Sequence, residues 1–140
     1  MSADAKALAK RLYEDAFGGD LSVIDEIMTS DPVDHTPLPG LPPGREGYRQ
    51  TISVIRAGFP DMKMNIEEVI AGDDRIVARW TARGTHKGDF LGVPASGKSF
   101  EIGGISILTT AGGKISGDWT QWDSLGLMTQ IGAIPAAATA

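Results

Sequence analysis

Apolar residues recur at spacings of three and four in the first half of the chain and at alternate positions in the second. Ala5, Leu8, Leu12 and Ala16 make one stripe of a first helix, which Gly18-Gly19 stops. Asp20 is placed to cap a short second helix that turns Leu21, Ile24, Ile27 and Met28 inward. Residues 31–44 hold five prolines and two glycines, a density that predicts no regular element. Val33, His35, Leu38 and Leu41 make this stretch an ordered loop packed on the body rather than a polar linker. A third helix is predicted from about Arg45 to Phe59, with Tyr48, Ile52, Ile55 and Phe59 on one side and Pro60 just past its end.

Strand signals follow. Residues 62–71 begin by alternating, with Met62, Met64 and Ile66 on one face, and Gly72-Asp73-Asp74 reads as a turn. Residues 76–87 alternate longest, with Ile76, Ala78, Trp80, Ala82, Gly84 and His86 against Val77, Arg79, Thr81, Arg83, Thr85 and Lys87. Such a strand has one buried and one wet face. A loop at 88–98 leads to a strand at 99–110, in which Gly103-Gly104 predicts a bulge or sharp bend. A hairpin at 111–114, a fourth strand at 115–123 and a short helix carrying Leu125, Leu127, Met128 and Ile131 complete the chain. Helices first and antiparallel strands second is the α+β layout. A long, bent four-stranded sheet with helices on its concave face would make a cone around a pocket.

Composition narrows the function classes. At 140 residues, 41% hydrophobic, one domain with one core is expected, spanning about 5–134 with an Ala-rich tail at 135–140. A net charge of −5 argues against nucleic acid and anionic membrane surfaces as partners. The absence of cysteine excludes disulfides, thiolate metal sites and cysteine nucleophiles. Two histidines cannot form a three-His zinc site; two His and a carboxylate remain arithmetically possible, but no metal site is expected. No apolar run approaches the ~20 residues that span a bilayer, and the first fifteen residues lack the apolar core of a signal peptide. A soluble, cytoplasmic protein is the expectation.

Candidate chemistry lies on the strands. His86 shares the apolar face of its strand with Trp80, as a pocket residue or as a core histidine tied to the backbone. His35 sits beside Asp34 in the proline-rich loop, as a functional residue or as one that ties the turn down. In the fourth strand Ile115, Gly117, Trp119, Gln121 and Asp123 share one parity, and Ser116, Asp118, Thr120 and Trp122 the other. The size of Trp119 makes its face the inner one, which puts Asp123 at the inner end of the strand. Asp123 is then either an acid in a dry pocket, able to exchange protons near neutrality, or the N-cap of the final helix. Asp118 is its competitor, because a bulge would swap which parity faces inward.

Several stretches together resemble the SnoaL-like polyketide cyclases, also described as ester cyclases. They are Val33-Asp34-His35-Thr36-Pro37, Arg45-Glu46-Gly47-Tyr48, Phe59-Pro60-Asp61, the run Gly84-Thr85-His86 with Gly88, Gly92 and Pro94 after it, and Trp119-Thr120-Gln121-Trp122-Asp123 before Leu125-Gly126-Leu127. The resemblance covers roughly residues 5–134. It implies a nuclear-transport-factor-2-like cone and an intramolecular aldol condensation, driven by an aspartate acid/base without metal or cofactor. It places that role on Asp123, with His35 and His86 at the two histidine positions of the motif. Gly117-Asp118 departs from the family pattern, where Glu-His often precedes the tryptophan, and Asp118 becomes either a replacement pocket residue or a surface one. Trp80, Trp119, Gln121, Met64 and Phe17 are the expected substrate contacts, and a small, largely apolar carbonyl compound the expected substrate. A homodimer or higher homo-oligomer is implied too, with Val77, Thr81, Thr85, Ile105 and Ile107 as the contact face. The alternatives are a non-catalytic small-molecule-binding module and another cone-fold enzyme, an epoxide hydrolase or isomerase. Arg79 and Arg83, opposite His86 in parity, count against the hydrolase, which pairs carboxylates through an arginine.

Overall fold

Helix α1 (Ser2–Lys10) does not end as an α-helix but runs into a π-helical turn, Arg11–Ala16, closed by the Phe17 N–H on the Leu12 carbonyl at 3.0 Å. The extra residue in that turn widens the inward stripe, so that the neighbours Leu12 and Tyr13 are both buried. The computed structural model describes residues 2–135; Met1 and the end of the Ala-rich tail, 136–140, lie outside the described residues. Gly19, at φ 120°, then reverses the chain. Asp20 accepts hydrogen bonds from the backbone and hydroxyl of Ser22, turning the chain into helix α2 (Val23–Ile27).

Among the described residues the sheet has five strands, where the sequence pattern predicted four. Strand β1 (Met28–Asp34) occupies the end of the predicted second helix and the start of the predicted loop. The others are β2 (Lys63–Ala71), β3 (Arg75–Thr85), β4 (Ser99–Ala111) and β5 (Lys114–Trp122), in the spatial order β1-β5-β4-β3-β2. Only β1 pairs in parallel, with β5. Its proline is tolerated because β1 is an edge strand, where a missing N–H breaks no central ladder. Helix α3 (Gly44–Gly58) is tied to that edge by Arg45, whose guanidinium donates to the carbonyls of Thr29 at 2.8 Å and Met28 at 2.7 Å. This clamp sets Tyr48, one turn further on, over the inner face of β1 and β5. Helix α4 (Ser124–Gln130) follows β5 directly.

Two irregularities decide what faces inward. Along β4 and β5 the pairing runs from Gly104↔Trp122 to Thr109↔Gly117 and then shifts to Thr110↔Ile115. Ser116 is the extra residue of a bulge. Ile115 is therefore buried on one side of the bulge and Asp118 on the other, although their parities differ. The predicted parity of β5 is corrected by this: Asp118, Thr120 and Trp122 face in, while Trp119, Gln121 and Asp123 do not. The glycine pair, by contrast, makes no bulge. β3 and β4 stay in register through Trp80↔Gly104 and Thr81↔Gly103. Gly104 is there for space, since a Cβ would overlap the six-membered ring of Trp80.

The β3 expectation agrees with the structure. Ile76, Ala78, Trp80, Ala82 and His86 are buried and Arg79 and Arg83 are exposed. At the β4–β5 hairpin both Gly112 (φ 59°) and Gly113 (φ 79°) take the left-handed conformation that a two-residue turn requires. Among the described residues, no helix is long and apolar enough to cross a membrane.

Candidate functional site

Between the helices and the concave sheet face lies a cavity of about 100 Å³. Its wall includes Leu12, Tyr13 and Phe17 from the first helix, Tyr48 and Thr51 from α3, Met64 and Trp80 from β2 and β3, and Asp118, Thr120 and Trp122 from β5. Asp34 and Thr36, at and just past the end of β1, close one side. The layer of β4 behind Trp80 would ordinarily be apolar. Here Ser106, fully buried, places a hydroxyl in it.

That hydroxyl anchors a directed hydrogen-bond chain. Ser106 Oγ accepts from Tyr13 Oη at 2.5 Å and from Trp80 Nε1 at 3.1 Å. Both its lone pairs are thereby used, so its own proton goes to Thr120 Oγ1, 2.9 Å away. Thr120 in turn donates to Asp118 Oδ2 at 2.5 Å, and Tyr48 donates to Asp118 Oδ1 from the other side. Every hydrogen points toward Asp118. Burial pushes its carboxyl above the usual range, while Thr120, Tyr48 and the charge of nearby His35 pull the other way. Burial also raises the Tyr13 and Tyr48 phenols, helped by the Asp118 charge, so both stay neutral donors. Asp34 is half-buried and is pushed up to about 6, by desolvation first and by the charge of Asp118 second.

The remaining sequence candidates lie in three places. Trp80, Met64 and Phe17 line the cavity. His86 lies in a separate part of the core, where Ser96 donates its N–H to Nδ1 at 3.2 Å and the ring packs 5.4 Å from that of Phe59. It anchors the 88–98 loop and does not share the cavity. His35, Trp119, Gln121 and Asp123 are on the outside. His35 stacks on Trp119 with ring centroids 4.1 Å apart and planes 5° from parallel, an arrangement that fixes two surface rings. Asp123 caps α4, accepting the Gly126 N–H at 2.9 Å. Asp123→Ala is accordingly expected to cost about 1 kcal/mol of stability, read as a lower Tm, with the cavity unaltered. Among the described residues, no group of three His, Asp or Glu side chains comes together as a metal site would need.

Sequence reasoning missed Asp34, Tyr13, Tyr48, Ser106 and Thr120 as members of one site. A polar-tipped residue on an otherwise apolar stripe was the available signal for Tyr48 on α3 and for Ser106 on β4.

An α+β cone whose helices and curved sheet enclose a small, acid-bearing cavity is the nuclear-transport-factor-2-like class. Within that class the chain belongs to the SnoaL-like polyketide cyclase family, whose sequence model matches residues 7–131. Solved structures agree. TsrD from Streptomyces laurentii is 30% identical, with a TM-score of 0.88 over 96% of this chain and 98% of that one. IdmH from Streptomyces antibioticus, described as a candidate polyketide cyclase, is 32% identical, with a TM-score of 0.78 over 91% and 98%. A candidate SnoaL-like polyketide cyclase from Jannaschia sp. CCS1 is 27% identical, with a TM-score of 0.81 over 96% and 95%. Comparison with curated proteins gives no match.

Proposed function

We propose that the protein is an acid/base enzyme that removes a proton next to a carbonyl of a small, largely apolar substrate, as in an intramolecular aldol condensation, and that Asp118 carries the proton. The observation that supports this most is the convergence of Tyr48 and the Ser106–Thr120 chain on one buried carboxyl. A base in such a setting is oriented by two donors, and burial raises its affinity for a proton, both of which favour proton transfer. As Asp118 takes the substrate proton its charge disappears. The Tyr48 hydroxyl is then free to turn to the enolate oxygen, where negative charge is growing. Trp80, Met64, Leu12 and Phe17 supply apolar walls that hold the carbon skeleton and keep water away. A cavity of about 100 Å³ is smaller than the ~150 Å³ cavity that holds benzene. One carbonyl-bearing end of the substrate enters it.

The test is exchange of carbon-bound hydrogen in deuterated water, with the flat ketone 2-indanone as probe and NMR as readout. The wild type is expected to accelerate deuterium uptake beside the carbonyl. Uptake at the buffer rate would contradict the proposal. Tyr48→Phe is expected to slow the exchange about 10-fold, the scale of one lost hydrogen bond to a charged group, and to leave its pH optimum higher because Asp118 loses a stabilising donor.

The expected homodimer fits the outer sheet face, where Val77, Ile107 and Trp119 are in register across three strands and Ile105 and Trp119 are each 51% exposed. Ile107→Lys is expected to shift the light-scattering mass of a dimer to that of one chain; a wild type already of one-chain mass at high concentration would contradict the pairing.

A further inference from the structure

We propose that Asp34 is the second proton carrier of this site: it shares one proton with Asp118 and delivers it to the substrate oxygen. The proposal rests on the reading of Asp118 as the acid/base and adds a partner to it. Three geometric observations carry it. Asp34 and Asp118 are register partners on the parallel strands β1 and β5, so their backbones are about 4.8 Å apart and both carboxyls reach the same cavity. Asp34 accepts the Thr36 N–H at 2.9 Å, whereas the two oxygens of Asp118 are each held by a side-chain hydroxyl. Asp34 also lines a second hollow, of about 330 Å³, between β1 and the proline-rich loop, which includes Pro32, Pro37, Leu41 and Pro42. Thr51 is the one other residue common to both hollows, and it does not titrate. Asp118 belongs to the inner cavity alone. Asp34 is therefore the one titratable side chain common to the two hollows.

The groups that face Asp34 are Asp118 from β5, Tyr48 from α3, Tyr13 from the π-helical turn and His35 next to it in the chain. The phenols stay protonated, so the negative charges that interact are the two carboxyls. Their proximity disfavours double ionisation, and its relief is a single shared proton. In a condensation the ionised Asp118 takes the C–H proton, and the new carbon–carbon bond forms from the enolate to the second carbonyl. Asp34, protonated at the start, gives its proton to the alkoxide that results. Return of the proton from Asp118 to Asp34 resets the pair. The pair carries one proton before and after, and no other reactant is needed.

Titration of the protein labelled with ¹³C at the aspartate carboxyls tests the pairing without any substrate, the Asp118 signal being identified by its loss in Asp118→Asn. In the wild type that signal is expected to move in two steps, one of them tracking Asp34. In Asp34→Asn, which keeps the oxygen that accepts from Thr36, it is expected to move in one step. An Asp118 titration unchanged in Asp34→Asn overturns the pairing. The catalytic part is read by 2-indanone exchange: Asp34→Asn is expected to lose at least 10-fold and to lose the inflection near pH 6 from its rate profile. Exchange at the wild-type rate in Asp34→Asn, with Asp118→Asn inactive, overturns Asp34 as proton carrier while leaving Asp118 in place. Wild-type exchange no faster than that of Asp118→Asn defeats the reading of Asp118 instead, and the titration still decides whether the carboxyls share a proton.

Discussion

Asp118→Asn is expected to lower turnover by about 100-fold or more, the usual contribution of a positioned acid/base, while leaving the protein folded and no less stable. The asymmetry between function and stability follows from burial. Asp118 is only 6% exposed, and an ionised carboxylate there gives up hydration that Tyr48 and Thr120 restore in part. Asn removes the charge and keeps an oxygen for one of the two donors. The pH dependence of stability gives the sign. Both Asp118 and Asp34 have folded-state pKa values above their ordinary 3.8. Between that value and the folded one, the folded protein holds more protons than the unfolded chain. Stability then falls as pH rises, for Asp34 across a window from about 4 to about 6. Below the window both forms are protonated and the variants have nothing to gain. Thermal melts of wild type, Asp34→Asn and Asp118→Asn from pH 4 to pH 8 should therefore diverge as pH rises, with the variants losing less. Parallel curves would contradict the burial argument.

Gly104→Ala is expected to cost about 3 kcal/mol, at the upper end of the overpacking range, and to disturb the cavity wall with it. The new methyl would occupy the place of the Trp80 ring. That ring is 6% exposed, stacks on Tyr13 with centroids 5.8 Å apart and donates to Ser106 at 3.1 Å. It has no free rotation to give, so either β3 and β4 part or the indole swings into the cavity. In the second case the Ser106 chain loses a donor, and turnover falls along with Tm. Gly103→Ala is the control. Its nearest neighbour would be a carbonyl oxygen at 3.7 Å, an ordinary contact on the outer face, and a small change in Tm is expected.

Why the fold was legible and the site only partly so is visible in single residues. Alternation in Ile76, Ala78, Trp80 and Ala82 placed β3 correctly because period-2 burial is local, and the 3–4 spacing of Tyr48, Ile52 and Ile55 did the same for α3. Strand β1 was hidden because Pro32 argues against a strand, and only its edge position removes that objection. The site depended on two register changes that leave little trace in composition. The bulge at Ser116 reversed the faces of Asp118 and Asp123. The π-helical turn brought Tyr13 inward beside Leu12, off the stripe of Ala5, Leu8, Leu12 and Ala16. Trp119 misled for a physical reason as well. A large apolar residue marks a buried face only if nothing else covers it, and here His35 stacks over it on the outside.

The most direct measurement compares Asp118→Asn with Asp123→Asn in the same assay of deuterium uptake by 2-indanone, since motif spacing favours Asp123 and cavity geometry favours Asp118. Asn replaces Asp as an N-cap at little cost, so the second variant keeps α4 in place. Asp118→Asn is expected to lose about 100-fold or more and Asp123→Asn to keep the wild-type rate. Full activity in Asp118→Asn together with loss in Asp123→Asn would contradict Asp118 as the acid/base.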